Sequence, residues 1–229
     1  MNDSAAEQTG AAALVAAVEN PWQCQSSGIC RFQTELVTLR QQAVTDPLTG
    51  LYNLRYLLKA LATEIERTER TGLSTSLMML DLDFFKRVND CWGHEVGNRV
   101  LQSTSHVILE TTRRLDISCR YGGEEFAIVL PGSSLLAARA VAERLRVNIA
   151  AQALNIDGQY LTVSASIGVT AMAAGALQTP GKLIEKADIQ LYRAKQAGRN
   201  RVCYEVDTAV TSHVTQDEKD LMRSLFDGG

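Results

Sequence analysis

The chain has 229 residues, 45% of them hydrophobic and 21% charged, and its formal net charge is −3. That is the balance of a globular chain with room for one substantial core plus appended segments, and it carries no global basic field for nucleic acid or an anionic membrane. The apolar run AAALVAAV at 11–18 is too short to span a bilayer, and Asp3 and Glu7 stand where a secretory signal would be basic.

Residues 1–28 are rich in Ala, Gln, Ser and Thr, and PWQCQSSG reads as loop. From Ile29 to Val44 a helix is predicted, with Phe32, Leu36, Leu39 and Ala43 spaced by four, three and four. That stripe suits a short two-helix seam, and packing onto its own domain explains it equally well. Asp46-Pro47 breaks the helix, because the residue before a proline is pushed out of the α region. The expected organisation is a helical segment at 1–45, a domain at 46–205 and a tail at 206–229. Cys24, Cys30, Cys91, Cys119 and Cys203 are scattered with poor zinc spacing, so free thiols and a cytoplasmic location are expected.

Within the domain, Asn53 to about Arg70 is a helix with Leu54, Leu57, Leu58, Leu61 and Ile65 on its apolar face, ended by Gly72. TSLMMLDLD at 75–83 is apolar on both faces, so it reads as a central buried strand. Val96 to about Thr112 is helical, followed by the strands LDISCRY and EFAIVL, with Gly122-Gly123 between them as a two-residue turn. Ser133 is expected to cap a helix to about Ala151, and LTVSASIGVT forms a further strand. Pro180 opens a helix to Ala197, Gly198 closes it, and RVCYEV is the last strand. In the tail, Thr215 and Glu218 form a capping box before Leu221, Met222, Leu225 and Phe226. Alternating helices and strands with one central hairpin predict an α+β, ferredoxin-like antiparallel sheet with helices packed around it.

A buried strand ending Asp81-Leu82-Asp83 is costly unless its charges meet a partner, and the hairpin brings Glu124 as well. Converging carboxylates mean raised pKa values or a bound cation, and all-oxygen ligation suits Mg²⁺, with salt bridges to nearby Arg and Lys as the plainer alternative. Lys86, Arg87, Lys195, Arg199 and Arg201 flank the same strand and the last helix, where a polyphosphate would want them.

The segments DPLTGLYNLRYL (46–57), DLDFFKRVNDCWGHEVGN (81–98), RYGGEEF (120–126), SIGVT (166–170) and ADIQLYRAKQAGRNRV (187–202) resemble, in order, the GGDEF family of diguanylate cyclases. The resemblance implies a nucleotidyl-cyclase-like fold, GTP as substrate, cyclic di-GMP as product and a homodimer with one GTP per subunit. It places Mg²⁺, with Mn²⁺ as its substitute, on Asp81, the Leu82 carbonyl and Glu124. It makes Asn89 and Asn98 the guanine readers, and Lys86, Lys195 and Arg199 the phosphate contacts. Gly122 and Gly123 would let the backbone approach the nucleotide, Glu124 would assist deprotonation of the attacking hydroxyl, and Lys86 would stabilise developing charge. Arg113 and Asp116 match the family's product-binding inhibitory RxxD pair. Two positions depart from the pattern: Leu54 replaces an arginine, and Asn98 replaces the aspartate that reads the base. The alternatives are an inactive domain that binds GTP or cyclic di-GMP as a regulatory module, and a synthase of mixed purine cyclic dinucleotides.

Overall fold

The computed structural model of the protein describes residues 44–176 and 178–205. The stripe of Phe32, Leu36, Leu39 and Ala43 and the tail helix from Thr215 lie outside the described residues. The elements run α1 (Leu54–Thr71), β1 (Thr75–Leu82), α2 (Phe85–Thr111), β2 (Ile117–Gly122), β3 (Glu125–Leu130), α3 (Leu135–Ala151), β4 (Ala153–Ile156), β5 (Gln159–Thr162), β6 (Ala165–Met172), α4 (Pro180–Gln196) and β7 (Val202–Tyr204).

β1 is buried along its whole length and pairs antiparallel with β3 on one side and β6 on the other. Alternation along the strand serves two cores. Met78, Leu80 and Leu82 pack with α2 and α3, while Leu77 and Met79 pack with α1 and α4. Each such side chain contributes roughly 1.5–3 kcal/mol on burial, and the buried polar residues that open the strand, Thr75 and Ser76, are hydrogen-bonded to Thr68 and Ser133. The five-stranded order is β2-β3-β1-β6-β7, with β7 parallel to β6. Its first four strands and the helices between them make the expected α+β, ferredoxin-like arrangement.

The outer edge of β2 is covered by Tyr52, whose N–H donates to the Ser118 carbonyl at 3.1 Å and whose carbonyl accepts from the Arg120 N–H at 2.8 Å. At the opposite edge β7 is three residues long. Gly168 on β6 lies directly beneath α4, because a Cβ there would collide with the backbone of Ala187 and Leu191.

Helix boundaries follow their caps. The Asn53 side chain accepts from the Tyr56 N–H, and Gly72 turns left-handed (φ 73) to end α1. On that helix Leu57 and Leu61 are buried, whereas Leu54 and Leu58 are exposed, so the predicted stripe is narrower than expected. Ser134, not Ser133, caps α3, accepting from the Ala137 N–H. Ser133 is buried, and its carbonyl accepts from the Ser76 hydroxyl at 2.8 Å. The β4–β5 hairpin was not expected; Asp157 and Gly158 both have positive φ (50 and 86), the pattern of a type I′ turn. The predicted strand at 161–170 is accordingly two strands, interrupted between Thr162 and Ala165.

Candidate active site

The end of β1, the β2–β3 turn, the start of α2 and the end of α4 meet at one end of the sheet. Asp81 on β1 stands in register with Glu125 on β3 and Ser166 on β6. Lys195, in the last turn of α4, places Nζ 2.8 Å from Asp81 Oδ2. Burial pushes the Asp81 carboxyl above the usual carboxylate range; Lys195 pulls it back, and the charges of Glu124 and Asp83 push it further up. Glu125 is also raised, by burial first and then by Asp81, and Asp188 is raised by burial against the pull of Lys195. One ammonium thus serves a crowd of carboxylates.

That donor set fits a hard divalent cation: the oxygens are carboxylates and a strand-end carbonyl, and their charges are undercompensated. Among the described residues no three His, Cys, Asp or Glu side chains gather in metal-holding geometry. Two carboxylates, the Leu82 carbonyl and ligand phosphates would have to share the ion, as Mg²⁺ commonly requires.

The turn that carries Glu124 differs by one residue from the expected Gly122-Gly123 turn. β2 shifts register between Arg120 and Gly122, so Gly122 stays in the strand opposite Glu125. The turn residues are then Gly123 and Glu124, with positive φ at Gly123 (52) and not at Glu124, a II′-like pattern. A Cβ at either glycine would meet nothing within 4 Å, so a ligand can approach this backbone freely. Arg120 braces the turn: its Nε and Nη2 donate to the Gly123 carbonyl at 3.0 and 2.8 Å, and its Nη1 reaches both oxygens of Asp46 at 3.2 Å. Burial opposes the Asp46 charge, yet hydrogen bonds from Thr49 and the Arg120 guanidinium hold this carboxyl below the usual range.

Lys86 is exposed on the first turn of α2 and Asn89 is half-buried on the next. α2 breaks at Gly93 (φ 81, ψ 162). In an unbroken helix, residues eight apart lie about 12 Å apart along the axis. Here the Asn89 side chain abuts Gly97, where a Cβ would overlap Asn89 Oδ1, so the break folds the two helical pieces onto each other. Asn98 follows at once and is exposed. Beyond α4, Gly198, Arg199 and Asn200 all have positive φ (111, 62 and 45). The Arg199 guanidinium lies 4.6 Å above the ring of Phe84, itself left-handed at φ 58. A groove of about 760 Å³ between α1 and α4, lined by Leu58, Tyr121, Asp188, Ile189 and Tyr192, borders the site through Asp188.

Arg113 and Asp116 form a separate turn. The Arg113 N–H donates to Asp116 Oδ2 at 2.7 Å, and the Asp116 N–H donates to the Arg113 carbonyl at 2.9 Å. Burial raises the Asp116 carboxyl, while Arg113 draws it down. Beside the turn lies a groove of about 480 Å³ lined also by Tyr52, Leu109 and Ser118.

Three residues of the site carried no role in the sequence reading: Asp46, Arg120 and Asp188. The signal for the first two was a charged residue of each sign inside two of the five segments, but the hydrogen bonds joining them span 74 residues of chain.

Residues 43–201 match the sequence model of the family described as diguanylate cyclase, GGDEF domain. The response regulator PleD of Caulobacter vibrioides is 40% identical over 162 residues, covering 70% of this chain and 36% of PleD. Diguanylate cyclase DgcP of Pseudomonas aeruginosa is 42% identical over 171 residues, covering 75% of this chain and 25% of DgcP. The chain therefore spans well under half the length of these relatives. Among solved structures, the coiled coil and GGDEF domain of DgcB from Caulobacter crescentus, in complex with c-di-GMP, superposes with a TM-score of 0.72 at 28% identity, covering 87% of this chain and 99% of that one. Diguanylate cyclase SiaD of Pseudomonas aeruginosa, in complex with its activator SiaC, gives 0.69 at 36% identity, covering 87% and 74%. With the family profile spanning the first four strands of the sheet order, the carboxylate cluster and the braced turn alike, the chain belongs to the GGDEF diguanylate cyclase domain family.

Proposed function

We propose that the protein condenses two GTP molecules into cyclic di-GMP, with each of two facing subunits holding one nucleotide. The observation that carries this reading is the crowd of raised carboxylates around Asp81 with Lys195 on its Oδ2 at 2.8 Å. Such a cluster suits an ion-bridged triphosphate better than a structural salt bridge, which would leave the remaining carboxylates uncompensated.

Each 3′-hydroxyl attacks the α-phosphorus of the opposite GTP in line. Two P–O bonds form, two α–β phosphoanhydride bonds break, and two pyrophosphates and two protons leave. Asp81, the Leu82 carbonyl and Glu124 would hold Mg²⁺, or Mn²⁺ in its place, which supplies charge neutralisation on the phosphates. Glu124, at the tip of the turn, accepts the hydroxyl proton. Lys86, Lys195 and Arg199 grip the triphosphate and oppose the charge that builds on the leaving group. Asn89 and Asn98 read the base, and Gly122 and Gly123 leave room for the nucleotide beside the turn. Arg113 and Asp116 bind the product and slow the enzyme; c-di-GMP accompanies the DgcB domain in the similar structures. An inactive binding module is the weaker reading, since Asp81, Glu124, Lys86 and Lys195 are all in place.

The test incubates the full chain with Mg²⁺ and an equimolar GTP/ATP mixture and identifies products by mass. Cyclic di-GMP from the natural chain, and none from Glu124→Gln at an unchanged melting temperature, is the expected result. Product from Glu124→Gln at the natural rate would remove Glu124 from the chemistry. No cyclic dinucleotide from the natural chain would leave the regulatory-module reading.

A further inference from the structure

Asp83 ends the Asp81-Leu82-Asp83 run, yet it does not join the crowd around Lys195. It is buried, and its carboxylate accepts three hydrogen bonds: from the Ser164 hydroxyl at 2.7 Å, the Ser166 hydroxyl at 2.7 Å and the Asn200 N–H at 3.0 Å. Two donors come from β6 and the stretch before it, and the third from the segment that follows α4. A carboxylate with three donors aimed at it is committed to them and has little left for an ion.

The segment it holds is strained. Gly198, Arg199 and Asn200 have successive positive φ angles, and only the first is a glycine. Non-glycine residues in left-handed conformation persist where neighbours over-determine them. The neighbours are visible here: the Arg199 N–H donates to the Ala194 carbonyl at 3.0 Å, Arg201 Nε donates to the Arg199 carbonyl at 3.0 Å, and Arg146 Nη1 donates to Asn200 Oδ1 at 2.9 Å. The Asp83–Asn200 bond is the tie from this segment to the β1 end. Phe84, the residue after Asp83, is likewise left-handed and mostly exposed, and its ring lies under the Arg199 guanidinium. Asp83 and Phe84 therefore grip one residue from two sides: the carboxylate fixes the backbone just past Arg199, and the ring fixes its side chain.

We infer that Asp83 and Phe84 are positioning residues for the triphosphate, acting through Arg199 by holding it in a backbone conformation that it would not keep alone. The inference rests on the GTP reading above. Pre-setting a long arginine spares the ligand the cost of ordering it, so the grip should appear as phosphate-dependent affinity.

The test titrates the full chain, in Mg²⁺, with 3′-deoxy-GTP, which lacks the attacking hydroxyl, and with guanosine, which lacks every phosphate. Asp83→Asn turns one acceptor into a donor facing donors, and Phe84→Leu removes the ring from an exposed position where folding does not depend on it. Each should weaken 3′-deoxy-GTP about tenfold, the loss of one charge-assisted contact, and leave guanosine unchanged. Arg199→Ala should do the same, and adding Asp83→Asn to it should cost nothing more. Equal losses for both ligands, additive losses in the double variant, or triphosphate binding unchanged in Phe84→Leu and in folded Asp83→Asn would each overturn the inference. A natural chain with no preference for 3′-deoxy-GTP over guanosine would instead overturn the GTP reading and this inference with it.

Discussion

Asp81 sits at 8% exposure with a lysine on one oxygen and further carboxylates nearby, and the balance leaves its pKa raised. The sign of the consequence follows from linkage. A carboxyl raised on folding holds its proton in the folded chain at a pH where the unfolded chain has released it. Without a cation, the folded state is favoured towards acid and loses that advantage as pH rises through the raised values of Asp81, Glu125 and Asp188. A divalent ion binds only the ionised form, so Mg²⁺ should raise the melting temperature near neutral pH and barely move it at about pH 4, the ordinary carboxylate value. Asp81→Asn should remove the neutral-pH gain. Thermal scans with and without Mg²⁺ check this, and an equal gain at both pH values would count against a carboxylate-held ion. Asn98 poses a second question. An aspartate there would only accept, matching the guanine N1–H and N2 amino donors, whereas the amide can rotate to serve adenine. Discrimination against ATP should be weaker than in Asn98→Asp by about 1–2 kcal/mol, one charged hydrogen bond exchanged for a neutral one. Competition assays scoring di-GMP against mixed GMP–AMP products decide it, and identical ratios would make Asn98 neutral.

α4 delivers Lys195 and Asp188 to the site, and Gly168 lets it lie close enough to do so. Gly168→Ala would wedge a methyl against the backbone of Ala187 and Leu191, which cannot yield as a side-chain tip can. The expected cost is about 1–3 kcal/mol of stability, with turnover falling more steeply than the melting temperature implies because Lys195 moves off Asp81. Chemical denaturation alongside the activity assay checks both parts. The Arg113–Asp116 turn offers a cleaner experiment, since the bonds that close it use the Arg113 backbone. Arg113→Ala should thus keep the turn, relieve inhibition by added cyclic di-GMP and leave the initial rate close to natural; inhibition unchanged in the variant would reduce the pair to a surface turn. The elements legible in the sequence were those with a strong local signal: a two-faced apolar strand at 75–82, Asn53 and Gly72 around α1, Pro180 opening α4. The β4–β5 hairpin was missed although Asp157-Gly158 is a strong turn signal, because its flanking strands are four residues each and mostly exposed. The misplaced β2–β3 turn has a different cause. Spacing alone cannot reveal a register shift, which is set by pairing with a strand and by the Arg120 brace on Gly123.

At the scale of the whole molecule, a reaction that takes one GTP from each of two subunits cannot run on a single copy. Specific activity should rise with protein concentration, and deleting residues 1–45 should weaken it if the Phe32, Leu36 and Leu39 stripe pairs subunits. Activity per molecule that stays flat on dilution into the monomer range would contradict the facing arrangement; activity surviving the deletion would give the stripe a packing role. The two edges of the sheet bear on how such a pair can form. One is capped by Tyr52 and the other ends in a three-residue strand, so neither offers a row of free backbone groups for a second copy to zip onto. Among the described residues, edge-to-edge merging of two copies of the five-stranded sheet is disfavoured, which leaves side-chain contacts as the main means of docking. Contacts of that kind come apart and re-form without unpicking the fold, so two subunits facing each other as proposed would be free to close, react and let go.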